Sequence, residues 1–122
     1  MPDLLIVGLL LRSVKEFNET RKADPLLLID LSGAKLVGAN LRGANLKDAD
    51  IRGADLAWSD LSGADLSESL LNWTDLYWAD LTGTNLSGAD LGGANFYGAK
   101  GVSRKDFERS VEGTKATVKF AD

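Results

Sequence analysis

Residues 34–68 read AKLVG ANLRG ANLKD ADIRG ADLAW SDLSG ADLSE, seven units of five residues set end to end. Extended in both directions, the large apolar residue of each unit recurs at Leu31, Leu36, Leu41, Leu46, Ile51, Leu56, Leu61, Leu66, Leu71, Leu76, Leu81, Leu86, Leu91 and Phe96. Leu, Ile and Phe together make up 28 of 122 residues, so fourteen consecutive hits would arise by chance with a probability of roughly 10⁻⁹. The other columns are ordered too. Two residues before each centre stands Ala, Ser or Thr, except at Ile29. One residue before it stand eight Asp and four Asn, with Lys35 and Leu70 as the exceptions. Two residues after it, nine of fourteen are Gly.

A period of five belongs neither to a helix nor to a flat strand, since residues five apart share a face in neither. It fits a chain that turns a corner every five residues, each unit being a very short strand and a turn. The large centre and the small residue two before it then point inward. Gly at the corner supplies the positive φ of a type II turn. Four corners close a square of twenty residues, and successive coils stack as parallel strands ~4.8 Å apart. Fourteen units make about 3.5 coils. The corners at Asp48, Trp58, Glu68, Trp73 and Trp78 lack Gly. Positive φ is costly for those residues, so a different turn with negative φ is expected there.

The unit A-[DN]-L-x-x resembles that of the pentapeptide-repeat proteins. The resemblance covers residues 29–98 and implies an all-β solenoid, a right-handed quadrilateral parallel β-helix, in a family abundant in bacteria whose members mostly have no assigned activity. Phe17, Asn18 and Arg21 form F-N-x-x-R just ahead of the repeats. This is similar to an N-terminal helix of some members, and Gly98–Asp122 is similar to their short helical C-terminal cap. The chain accordingly divides into an apolar segment and capping helix at 1–28, the repeats at 29–98, and a cap and tail at 99–122.

Such a stack exposes strand edges at both ends, and the flanks are expected to cover them. Ser13 and Glu16 form a capping box for a helix over 14–22, stopped by Pro25, with Val14 and Phe17 on one face. Ser103 caps a helix over 104–111, followed by Gly113, with Phe107 and Val111 as plugs. Leu4–Leu11 follows Asp3, has no basic residue ahead of it and is far shorter than the ~20 residues of a membrane span. Val14, Phe17 and Leu26–Leu28 compete with it for the small apolar top of the first coil. The surplus either extends the capping helix or pairs with the same segment of a second chain. The candidate homodimer contacts are Leu4, Leu5, Ile6, Val7, Leu9, Leu10 and Leu11.

The chain has no Cys and no His, which excludes disulfides, thiol nucleophiles, His-based triads and His- or Cys-ligated metals. Net charge is −4, with −6 concentrated in residues 30–98, a body that repels a phosphate backbone. A flat column of Asp suits neither a calcium cage nor a glycosidase cleft. The glycines recur for turns and do not cradle phosphate. We therefore expect no cofactor, no metal, no nucleic acid, no membrane and no enzymatic activity, in a cytoplasmic protein. Counting by twenties gathers every Trp and Tyr on one side: Trp58 stacked with Trp78, Tyr77 stacked with Tyr97, and Trp73 with Leu70 around the shared corner. Exposed aromatics anchor protein interfaces. The expected function is a protein-binding or scaffolding module that uses Trp58, Leu70, Trp73, Tyr77, Trp78 and Tyr97. The resemblance also implies an alternative. Some family members bind DNA gyrase as acidic mimics of DNA, and the repeats here are acidic.

Overall fold

The computed structural model describes residues 1–102. Its repeats form a ladder with a spacing of twenty residues. Eleven parallel bridges, from Asp30↔Asp50 to Asp80↔Lys100, each join residues twenty apart. Three backbone bonds per unit tie one turn of the ladder to the next, as in Asp50 N–H to Ile29 O (2.9 Å), Leu31 N–H to Asp50 O (2.8 Å) and Gly33 N–H to Arg52 O (2.9 Å). A fourth closes the corner inside the unit, from Ala34 N–H to Leu31 O at 3.0 Å. All fourteen centres are at most 3% exposed. Of the small residues two before them, only Ala39 and Thr84 are incompletely buried. Where that column holds a hydroxyl, the group mostly bonds to a carbonyl: Ser69 to Leu66, Thr74 to Ile51 and Thr84 to Leu61.

Two expectations need correcting. The described residues contain two α-helices and no strand longer than one bridged residue, so "all-β" overstates the strand content. A five-residue unit spends most of its length on its corner, which leaves one residue to pair. The corners without Gly also differ from expectation. Asp48, Trp58, Glu68, Trp73 and Trp78 all have positive φ, between 56° and 62°, close to the 68–75° of the repeat glycines. The reason is the ladder itself. Each corner N–H donates to the next turn, as Trp58 does to Tyr77 O and Trp78 to Tyr97 O, both at 2.8 Å. A turn with negative φ would break that bond and the register of every unit above it.

The N-terminal residues build two helices. α1 spans Leu4–Arg12, capped by Asp3, whose side chain accepts from Leu5 and Ile6 N–H. α2 spans Val14–Ala23, capped by Ser13, which accepts from Glu16 N–H at 3.0 Å. Only half of the capping box forms: Ser13 N–H bonds to Leu9 O, and the Glu16 carboxylate accepts from Arg12 at 3.2 Å. The apolar run is thus a helix of its own rather than an extension of α2. Ile6, Leu10 and Phe17 enter the same core as the repeat centres. Leu26 and Leu28 do not compete for that core. They are 89% and 86% exposed, and only Leu27 of that trio packs inward.

α2 also satisfies the first turn of the ladder. In later turns the N–H and C=O of the residue before each centre bond to the turn beneath. Asn45 has none beneath it, and two side chains of α2 substitute. Asn18 Oδ1 accepts from Asn45 N–H at 2.8 Å, while its Nδ2 donates to Gly43 O at 3.0 Å. Arg21 donates to Asn45 O at 2.7 Å. Phe17, Asn18 and Arg21 therefore act together, the ring in the core and the two polar groups on the edge. Asp3 N–H does the same for Asp30 O at 3.0 Å. The C-terminal helix expected over 104–111 lies outside the described residues.

Candidate functional site

The candidate surface is built on the face centred on Leu36, Leu56, Leu76 and Phe96. The twenty-residue spacing places Tyr77 beneath Tyr97 and Trp58 beneath Trp78. Trp58 and Trp78 stack with centroids 5.7 Å apart and planes 9° from parallel. Tyr77 and Tyr97 stack at 5.7 Å and 11°. The two stacks meet edge to face: Trp58–Tyr77 at 5.9 Å, Tyr77–Trp78 at 6.2 Å and Trp78–Tyr97 at 6.5 Å. This is a four-ring herringbone, the arrangement that the aromatic quadrupole favours. The rings remain between 38% and 59% exposed.

Of the six expected residues, the structure joins four. Trp73 is 76% exposed and makes no ring pair among the described residues; its ring lies over Gly93, where a Cβ would meet it at 2.6–2.9 Å. Leu70 sits in the bridged column between Asp50 and Asp90, 37% exposed. The ring of Trp78 covers Gly98 in the same way. Those two glycines thus serve twice, as left-handed corners and as floors for rings.

A shallow groove runs along one side of the Trp stack, lined by Trp58, Ser59, Asp60, Trp78, Asp80 and Lys100. Its carboxylates are held in place. The Ser62 hydroxyl donates to Asp60 Oδ1 at 2.6 Å and the Ser62 amide at 2.9 Å, which keeps Asp60 below the usual carboxylate range. Thr82 does the same for Asp80, hydroxyl first. Lys100 pairs with Asp80 at 3.5 Å, and Arg42 reaches Asp60 at 3.9 Å.

The acidic columns have a structural role beyond the metal and catalytic roles that their flat geometry does not suit. In all twelve units with Asp or Asn before the centre, Oδ1 accepts the amide two residues on. The signal lay in the mixture of Asp and Asn. The two share an oxygen at the same reach but not a charge, so the column selects an acceptor. No group of three or more metal-ligating side chains occurs among the described residues. No helix among them is long and apolar enough to cross a membrane.

Of the expected dimer contacts, Ile6 (7% exposed) and Leu10 (fully buried) are taken up by the chain's own core. Val7 and Leu9 are partly packed against it. Leu4, Leu5 and Leu11 stay exposed.

A family model described as pentapeptide repeats matches residues 29–68 and 74–100 in eight copies. Among solved structures, the chain is similar to Rfr23, a pentapeptide repeat protein from the cyanobacterium Cyanothece 51142. The TM-score is 0.53 at 26% identity, covering 70% of this chain and 52% of that one. A pentapeptide repeat protein from the Arabidopsis thaliana thylakoid lumen is 33% identical, with coverage of 70% and 65% and a TM-score of 0.44. QnrB1, a plasmid-mediated fluoroquinolone resistance protein, is 17% identical over 74% of this chain and 59% of its own, with a TM-score of 0.32. The chain spans between about half and two thirds of these proteins' lengths. No curated protein matches it.

Proposed function

The chain belongs to the pentapeptide-repeat family, and on that premise we propose that it is a non-enzymatic protein-binding or scaffolding module. We read its ladder as a right-handed quadrilateral β-helix with α1 and α2 as the N-terminal cap. The partner docks on the side that carries Trp58, Tyr77, Trp78 and Tyr97. One observation carries this reading: four rings packed on one another, each at least 38% exposed, on one face of the ladder. Rings already fixed by their neighbours lose little freedom on binding, which is what makes aromatic anchors effective. Trp Nε1 and Tyr Oη bring hydrogen-bond donors to such a surface. We place it in the bacterial cytoplasm, a reducing compartment with which a chain lacking Cys is compatible.

The test compares native lysate passed over the immobilised protein and over a Trp58→Ala/Trp78→Ala double variant. We expect a partner retained by the first and reduced at least about tenfold on the second. The same set of proteins on both would overturn the reading. The alternative, an acidic binder of a topoisomerase such as DNA gyrase, is separated by a supercoiling assay with added protein. The ion pairs on Asp50, Asp60 and Asp80, which partly neutralise the carboxylate columns, weigh against it.

A further inference from the structure

α1 contains a glycine that nothing among the described residues requires. Gly8 is the fifth of the nine residues Leu4–Arg12. It is exposed, it is absent from the residues with positive φ, and a Cβ built on it would meet nothing within 4 Å. Glycine weakens a helix interior relative to alanine. Arg12, at i+4, pairs with Glu16; the other neighbours on the helix surface are Leu4, Leu5 and Leu11, at i−4, i−3 and i+3. They are 74%, 86% and 52% exposed, while the opposite side commits Ile6 and Leu10 to the core. The helix is therefore apolar on both sides, with a glycine at the midpoint of its outer one.

We infer that this outer face pairs with the same face of a second copy, α1 against α1, antiparallel about a two-fold axis beside Gly8. Four features select that occupant. An axis at the helix midpoint makes the face self-complementary, so that each Leu5 meets the other copy's Leu11 and each Leu4 lies beside the other copy's Arg12 stem. The charge distribution lets two copies meet at this end without the net repulsion of the repeat body. Residues 1–29 carry four acidic and four basic residues, whereas 30–98 carry −6. Antiparallel pairing also sets the Asp3 end of one helix beside the Arg12 end of the other, with dipoles opposed. Finally, a bare Cα lets two backbones approach more closely than the usual 8–10 Å between helix axes. A lipid surface gains nothing from a glycine there. The helix is only about 13 Å long, so the contact is small and micromolar affinity is expected.

The test is light scattering on the intact chain from about 1 to 200 µM. The mass should rise from 13.0 kDa towards twice that value. Gly8→Leu is the deciding variant. It adds apolar area and helix propensity at a site with no internal neighbour, so the fold is retained. A glycine-centred crossing would be wedged open, raising the dissociation constant at least about tenfold. Leu5→Asp should do the same. In a chain without native cysteine, Gly8→Cys should oxidise to a disulfide-linked dimer and Lys47→Cys, on the repeat body, should not. A monomer at the top of the range would overturn the proposal. So would Gly8→Leu that associates as tightly as the natural chain, or co-sedimentation with phosphatidylglycerol vesicles in place of dimerisation.

Discussion

A left-handed corner costs an L-residue ~1–2 kcal/mol, yet Glu68 and Trp78 both adopt it, at φ 59° and 56°. They differ in what offsets the cost. Trp78 stacks on Trp58 and meets two tyrosine rings edge-on, worth ~0.5–1.5 kcal/mol per pair. Glu68 only lies over Gly88. Glu68→Gly should therefore raise stability by ~0.5–1 kcal/mol, the strain relieved less the extra freedom of an unfolded glycine. Trp78→Gly should lower it. Calorimetry giving both variants the same sign would refute this division. The carboxylates make a second prediction. Hydroxyl or guanidinium donors hold Asp30, Asp50, Asp60 and Asp80 below their ordinary values. For groups shifted in that direction, the stabilisation is present above the unfolded value near 3.9 and lost as pH falls through the lower folded ones. The thermal midpoint should thus be flat above about pH 5 and fall below about pH 4. Asp60→Asn keeps the Oδ1 acceptor that Asn40, Asn45, Asn85 and Asn95 already supply at the equivalent position. It should be nearly neutral at pH 7 and should reduce the acid-side slope, whereas Asp60→Ala should lower the midpoint at every pH.

At the scale of elements, α2 closes the ladder with chemistry as well as bulk. Asn18→Ala would leave the Asn45 N–H without its 2.8 Å acceptor at a cost of ~1–3 kcal/mol. Phe17→Ala, in a fully buried site, should cost ~3–5 kcal/mol. Asn18→Asp keeps the acceptor and loses only the donor to Gly43 O, so chemical denaturation should place it between Asn18→Ala and the natural chain. Equal losses for Asn18→Ala and Asn18→Asp would mean that the acceptor does not matter. The sequence placed a helix over these residues but did not reveal their bonds to the first turn of the ladder. A period of five states where every centre goes, because burial repeats with it, and all fourteen were placed correctly from spacing alone. The corners were misjudged because single-residue strain was weighed without the ladder bond that overrides it. α1 was left open between two uses, because an eight-residue apolar run has no period of its own to read. The ring surface was legible as a column at twenty. The herringbone was not, since ring planes depend on side-chain angles that spacing does not encode.

For the whole molecule, stability is collective, and adjacent positions on opposite sides of one unit expose this. Leu61 is fully buried between Leu41 and Leu81 of its column. Asp60, its chain neighbour, faces outward. Leu61→Asp would place an unpaired carboxylate in a dry interior, among the most destabilising single changes a core admits. Each turn of the ladder is buried only against the next. Breaking it near Leu61 would leave two pieces of under two turns each, where a solenoid needs about three stacked turns to persist. The damage should therefore be total and not local. The variant should lose its circular dichroism throughout, with α2 lost as well, because Phe17 shares the core cluster of the repeats. In the natural chain, Trp fluorescence, which reports on turns containing Trp58, Trp73 and Trp78, should melt together with the helical signal of α1 and α2 at the N-terminal end. A Leu61→Asp protein that kept either signal would show that the N-terminal helices and the later turns fold independently. Losses of similar size from Leu61→Asp and Asp60→Asn would overturn the assignment of inside and outside on which every column rests.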